Sequence, residues 1–215
     1  MDQRTGRVDV GKLRGTWYDD FFSMAMSGLT KEQIEGIFAN VSFINFNYDR
    51  SLECFLFHAL TNSAHASATA AANIIDNLNV IRPYGSLGEL DLKRQPYVGG
   101  GEDIFEMATR IRTFTEAHES DIQKRITETL DHSSLVIALG FGFHPQNIAL
   151  LIPPDSSKRQ VQFVFTTVKG IHRENLQRIE SELARCFTTG RIKMLGMTAH
   201  ELLSDLRLSI LAAAN

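Results

Sequence analysis

Five short apolar runs, separated by segments with helical periodicity, constrain this 215-residue chain more than any other feature. The runs are Val41–Phe46, Val80 to about Pro83, Ser134–Gly140, Gln160–Val168 and Ile192–Met197. Most are apolar at consecutive rather than alternate positions, the pattern of strands covered on both faces. The segments between them carry apolar stripes at three- and four-residue spacing. Leu52, Phe55, Leu56, Ala59 and Leu60 form one; Ile122, Ile126 and Leu130 a second; Leu176, Ile179, Leu183 and Phe187 a third. Thr30 with Gln33, Ser120 with Gln123 and Thr198 with Glu201 have the spacing of capping boxes, which mark helix starts. Further helices are predicted over 103–118, in the second half of the alanine-rich 63–78, and from Thr198 to near the C-terminus. Strand alternating with helix predicts an α/β fold: an open, mostly parallel sheet of about five strands with helices on both faces. No repeat or linker divides the chain, so a single domain over 1–215 is expected. Residues 88–103, which include Gly99–Gly101, predict a loop and the best candidate for a mobile segment.

Charge and composition exclude several function classes. The formal net charge is −3 with no block of one sign, which gives no basic footprint for nucleic acid. The longest apolar run, Leu135–Phe143, is short of the roughly 18 residues a membrane span requires and contains two glycines. The opening "MDQRTGRVDV" lacks the apolar core of a signal peptide, so a cytoplasmic location is expected. Cys54 and Cys186 sit on apolar helical faces and are expected to be buried thiols; two cysteines cannot build a four-thiolate zinc site.

In open parallel sheets, ligands gather at the carboxyl ends of the strands. Polar and glycine residues recur there. The first run ends in Asn47 and Asp49, the second in "RPYGSLG", the third in "GFGFHPQN" and the fourth in Thr166-Thr167. Gly140 and Gly142 allow a tight turn and close approach of backbone to a ligand. Pro145 suits the first turn of a following helix, whose N-terminus would favour an anion. Structural explanations stand beside each of these. Asp49 is equally a helix N-cap, Asn47 a turn residue bonding locally, and the glycine loop a product of tight packing.

"FINFNYDRSLE", "IRPYGSLGEL" and "LVIALGFGFHPQN" occur in this order with roughly the expected spacing, and together they resemble landmarks of the sirtuin-like NAD-binding domain. The resemblance is closest to divergent bacterial members without a zinc ribbon, covers about residues 40–170, and implies a Rossmann-like sheet. It implies that Asn47 contacts the nicotinamide ribose and helps hold a reacting water or substrate, and that Asp49 recognises the nicotinamide carboxamide. Gly140 and Gly142 match the small-residue loop near the ribose and phosphates, and Thr166 a polar position towards the adenosine. The implied chemistry is cleavage of the nicotinamide–ribose bond of NAD.

Several family features are replaced or missing. Tyr84 stands where the family has its general-base histidine, and a phenol with a pKa near 10 is a poor base at neutral pH. His58 and His144 read as surface or helix-end histidines rather than as substitutes. The glycine–alanine–glycine loop of the first strand has no counterpart, and Phe46 replaces a glutamine. A degenerate relative, a piece of a longer protein and a site completed by oligomerisation all fit these departures.

Three functions follow as expectations: a domain binding NAD or an ADP-ribose compound, with or without NAD hydrolysis; a catalytically inactive interaction or sensing module; or another nucleotide enzyme on a similar sheet. For the last, neither a phosphate-binding lysine loop nor a serine elbow is present. The expected partner is a nucleotide small molecule, with no nucleic acid and no membrane. "FFSMAMSGL" leaves two outcomes open, core packing or a surface that pairs two copies in a homodimer.

Overall fold

A computed structural model of the chain describes residues 14–86, 109–112, 121–152, 161–187 and 191–214. The expected loop over 88–103, most of the helix at 103–118, the Ser120 cap and the turn at 153–159 lie outside the described residues. The chain divides into two compact units, Met1–Ala117 and His118–Asn215.

In the first unit, α1 (Trp17–Ala25) and a 3-10 helix (Lys31–Gly36) lead into β1 (Ser42–Ile44), α2 (Ser51–Asn62), α3 (Ala68–Asp76) and β2 (Asn79–Ile81). The two strands are parallel, with Ser42 opposite Asn79 and Ile44 opposite Ile81. A parallel neighbour needs a long crossover, which α2 and α3 supply. The Asn45 amide extends the ladder by donating to the Ile81 carbonyl at 2.8 Å. Every residue from Leu52 to Leu60 is buried, so α2 is enclosed all round rather than on one stripe. This also places His58 in the interior of a buried helix, not at a surface or helix end as the sequence suggested; the apolar neighbours on both sides carry it inside. Phe22, Ile34, Phe38, Leu56, Leu60 and Ile75 belong to the core that results. Phe22 and Met24 of "FFSMAMSGL" are buried, and the Phe21 ring stacks on Phe38 at 5.9 Å and meets Phe43 edge-on at 5.2 Å. The segment thus packs against its own unit. The Thr30–Gln33 pairing forms, with the Gln33 side-chain oxygen accepting from the Thr30 amide at 2.9 Å, but the helix it opens is one short 3-10 stretch.

The second unit comprises α4 (Asp121–Asp131), β3 (Leu135–Ala138), α5 (Pro145–Leu151), β4 (Phe163–Thr167), α6 (Arg173–Cys186), β5 (Ile192–Leu195), α7 (Ala199–Asp205) and α8 (Arg207–Ala214). Its strands form a parallel sheet in the order β3-β4-β5. Central β4 is buried from Val164 to Thr167, whereas flanking β3 is only half-buried and β5 half-buried to exposed. Ile122, Ile126 and Leu130 of α4, and Ile179 and Leu183 of α6, bury the stripes expected from their spacing. The helix expected from Thr198 onwards is capped as foreseen but breaks at Leu206, where φ is −96° and ψ is 10°.

The α/β class, the parallel pairing and the five strands agree with the sequence. Among the described residues the strands pair as two sheets, of two and three strands, rather than as the one sheet expected. Both cysteines are buried, as expected, and burial together with the Glu53 charge pushes the Cys54 thiol up to about 11. Among the described residues, no helix is long and apolar enough to cross a membrane.

Candidate functional site

In the first unit, the loop from Asn45 to Arg50 leaves the carboxyl end of β1. Asn45 turns it locally, its side-chain oxygen accepting from the Asn47 amide at 3.0 Å. Asp49 does the same one step on: its carboxylate accepts from the Ser51 amide at 2.9 Å, at the start of α2. The N-cap of α2 is Arg50, not Asp49 as the alternative reading had it: Asp49 lies one residue earlier, and its carboxylate closes a local turn onto Ser51. Asn47 is exposed, and its carboxamide bonds to no partner among the described residues.

The neighbouring turn leaves β2. The Gly85 amide donates to the Arg82 carbonyl at 3.1 Å, closing a turn with Pro83 at its second position, where its fixed φ fits. Gly85 has φ +81°, and a Cβ there would collide with the Arg110 carbonyl, because Gly85 bridges Ile111 and the Arg112 amide donates to the Tyr84 carbonyl at 3.0 Å. Glycine is thus required twice over, by conformation and by space. The Tyr84 ring meets Phe46 edge-on at 6.0 Å. Burial, and secondarily Tyr48, push the Tyr84 phenol above its ordinary value, so it is protonated at neutral pH and not poised as a base. Tyr48 itself is 39% exposed.

These two loops are joined by charges that sequence reasoning did not single out. Glu53 is 3% exposed, in the first turn of α2. Arg82 donates from one terminal nitrogen both to Glu53 Oε2 at 2.7 Å and to the Asp49 carbonyl at 3.0 Å. Arg50 Nε lies 3.0 Å from Glu53 Oε1, and its terminal nitrogen donates to Ser86 Oγ at 3.3 Å. The only hint in the sequence was a glutamate inside an otherwise apolar stripe and an arginine directly after an apolar run. A cavity of about 200 Å³ adjoins the network, with Arg50, Arg82, Glu53 and Asp76 as its charged lining. Two guanidiniums facing two carboxylates give it no net charge with which to draw an ion.

In the second unit, Gly140 (φ +59°) and Gly142 (φ +70°) turn the chain after β3, and a Cβ at either would meet nothing within 4 Å. Their conformation, not crowding, calls for glycine. Phe143 holds φ +55° with its ring buried, so packing of the ring stabilises a backbone shape that a phenylalanine otherwise avoids. Thr166 is fully buried, and its hydroxyl donates to the Ala138 carbonyl at 3.1 Å. The neighbouring Thr167 instead holds the glycine loop, its hydroxyl accepting from the Gly140 amide at 2.8 Å. His144 is the exposed N-cap of α5, as the sequence suggested. α5 is only seven residues long, which leaves a small dipole for an anion.

The structure thus brings Asn47, Asp49 and Tyr84 onto adjacent loops at one edge of the β1–β2 pair, and Gly140 and Thr166 onto the β3–β4 junction. Among the described residues, no group of acidic, histidine and cysteine side chains could hold a metal ion. Compared with protein-family models, curated proteins and solved structures, the chain matches none.

Proposed function

We propose that this chain binds NAD or an ADP-ribose compound, with the loops that follow β1 and β2 as the nicotinamide-ribose end of the site. The observation that carries this reading is the exposed, unengaged carboxamide of Asn47, held two residues from the Asp49 carboxylate at the carboxyl edge of a parallel pair. An amide can donate to and accept from ribose hydroxyls or an ordered water. Asp49 has one carboxylate oxygen committed to the Ser51 amide; its second can accept from a ligand amide. The resemblance to the sirtuin-like domain assigns the same two residues the same roles.

Hydrolysis of the nicotinamide–ribose bond needs a water oriented at the anomeric carbon and a site that tolerates developing positive charge there. The water oxygen forms the new bond, the C–N bond breaks with its electron pair going to the pyridine nitrogen, and the released proton goes to solvent. Asn47 would orient that water, and Asp49 would hold the carboxamide of the leaving group. Tyr84, protonated, would donate a hydrogen bond rather than abstract a proton.

A second reading, a ligand sensor that turns nothing over, is favoured by a tyrosine, Tyr84, at the position of the base. Calorimetric titration with NAD tests the shared premise: micromolar binding that Asn47→Ala weakens about tenfold or more is expected. No heat up to millimolar NAD, or an unaffected Asn47→Ala, would sink the assignment. Nicotinamide release that scales with protein would then separate hydrolase from sensor. Tyr84→His, which supplies an imidazole, should raise turnover if the missing base is what limits it.

A further inference from the structure

We propose that Arg82 is a positioning residue for the ligand loop. Through one terminal nitrogen it fixes the Asp49 backbone against Glu53, and so sets where Asn47 and the Asp49 carboxylate are presented. This rests on the NAD or ADP-ribose reading for its ligand, and on the geometry for its mechanism. Arg82 follows directly on β2, and Asp49 lies in the loop after β1. The bond from Arg82 to the Asp49 carbonyl therefore spans 33 residues of sequence and ties together the two loops that leave adjacent parallel strands. Glu53 anchors the far side of the same guanidinium, and Arg50 holds the other carboxylate oxygen of Glu53. The Arg82 side chain is only 8% exposed and that of Glu53 4%, so water does little to loosen the contact. The arrangement leaves Arg82 Nε buried without a hydrogen bond. That costs free energy.

Loop position matters because the bonds that Asn47 and Asp49 make within the loop are local, Asn45 Oδ1 to the Asn47 amide and Asp49 Oδ1 to the Ser51 amide. Each of those shapes a turn; neither fixes the turn relative to β2. Ligand contacts lose much of their value when displaced by about 1 Å. Asn45 to Ile81, Phe46 against Tyr84 and Arg50 to Ser86 tie the loop at its two ends; Arg82 adds the restraint at Asp49 itself.

The test combines NAD titration with amide exchange at Asn45, Asn47 and Ser51, in protein whose folding is checked by circular dichroism. Arg82→Met is expected to weaken NAD binding about tenfold or more and to speed exchange at the three amides. Arg82→Lys, which keeps the charge but is one bond shorter, is expected to fall between Arg82→Met and the parent. Because Arg82 acts through both loop residues, Arg82→Met should add less than about twofold once Asn47 and Asp49 are both alanine. A merely structural role would give effects that multiply. Multiplying effects, or a folded Arg82→Met with parental affinity, would overturn the proposal. Should the parent itself take up no NAD, the functional reading fails alone. Exchange then decides on Arg82: acceleration at the loop amides upholds positioning, and parental rates refute it. If Arg82→Met does not fold, the same readouts and outcomes apply to Arg82→Lys.

Discussion

The loop after β1 and the loop after β3 occupy equivalent places, each at the carboxyl end of a strand that pairs in parallel with the next, yet opposite chemistry holds them. The first is braced by ions: buried Arg82 and Glu53, with the partly exposed Arg50, link the two loops and the start of α2. The second is held by neutral groups, with Thr167 accepting from the Gly140 amide, two glycines at positive φ, and the buried ring of Phe143. Buried ions give rigidity at the cost of strong sensitivity to the loss of any one partner. Hydroxyls and glycines give a compact turn whose parts are individually worth little. The ionic brace lies beside Asn47, which is exposed.

Breaking the ionic brace should have the largest effect. Glu53→Ala leaves two guanidiniums facing each other without their carboxylate and is expected to cost about 3–5 kcal/mol. The sole tryptophan, Trp17, lies in the first unit, so its fluorescence during urea unfolding reports the loss there directly. A loss under about 1 kcal/mol would mean that the ions stay solvated and that the contrast between the two loops is false.

A matched pair of glycines sharpens the comparison. Gly85→Ala and Gly140→Ala both place a Cβ at positive φ, which costs about 1–2 kcal/mol. At Gly85 that Cβ also collides with the Arg110 carbonyl; at Gly140 it meets open space. Gly85→Ala should therefore be the more damaging by denaturant unfolding, and Gly140→Asn should be milder than Gly140→Ala, because asparagine tolerates the left-handed region. Equal losses at the two sites would show that conformation alone, not space, selects glycine at both. Thr167→Val removes the acceptor for the Gly140 amide while keeping shape, and is expected to cost about 1 kcal/mol, seen as faster exchange of that amide.

The smallest effect is electrostatic and exposed. At the start of α7, Glu201 accepts from the Thr198 amide at 2.6 Å and from Lys169 at 3.2 Å, and these bonds, the Thr198 ones foremost, hold its carboxyl down to about 2. A depressed carboxyl contributes its stability above the ordinary value of 4.5, and loses it as pH falls through about 2. Carbon-13 titration of Glu201 should place its midpoint near 2, and Thr198→Ala should raise it.

The strands were legible because consecutive apolar residues mark a covered sheet, and the helices because their stripes repeat every three or four residues. Strand lengths were overestimated: Val41–Phe46 contributes only Ser42–Ile44 to the ladder proper, since its last residues form the turn. Thr166 and Thr167 show a second limit. Neighbours on a strand face opposite ways, and pairing Ala138 with Thr166 decides that Thr167, not Thr166, serves Gly140. The Glu53–Arg82 pair was invisible for a related reason: its members are 29 residues apart, and no local pattern records which charge will meet which.

What local sequence governs here is what neighbouring residues settle among themselves: helical stripes, the capping boxes at Thr30 and Thr198, and the left-handed turns at Gly85 and Gly140. These follow from backbone sterics and contacts within four residues. The division of five similar apolar strands into sheets of two and three, the burial of a glutamate beneath two arginines, and the choice between adjacent threonines emerge on folding. Backbone donors and acceptors are the same on every strand, so partner and register are set by how side chains pack across distances the chain does not encode locally.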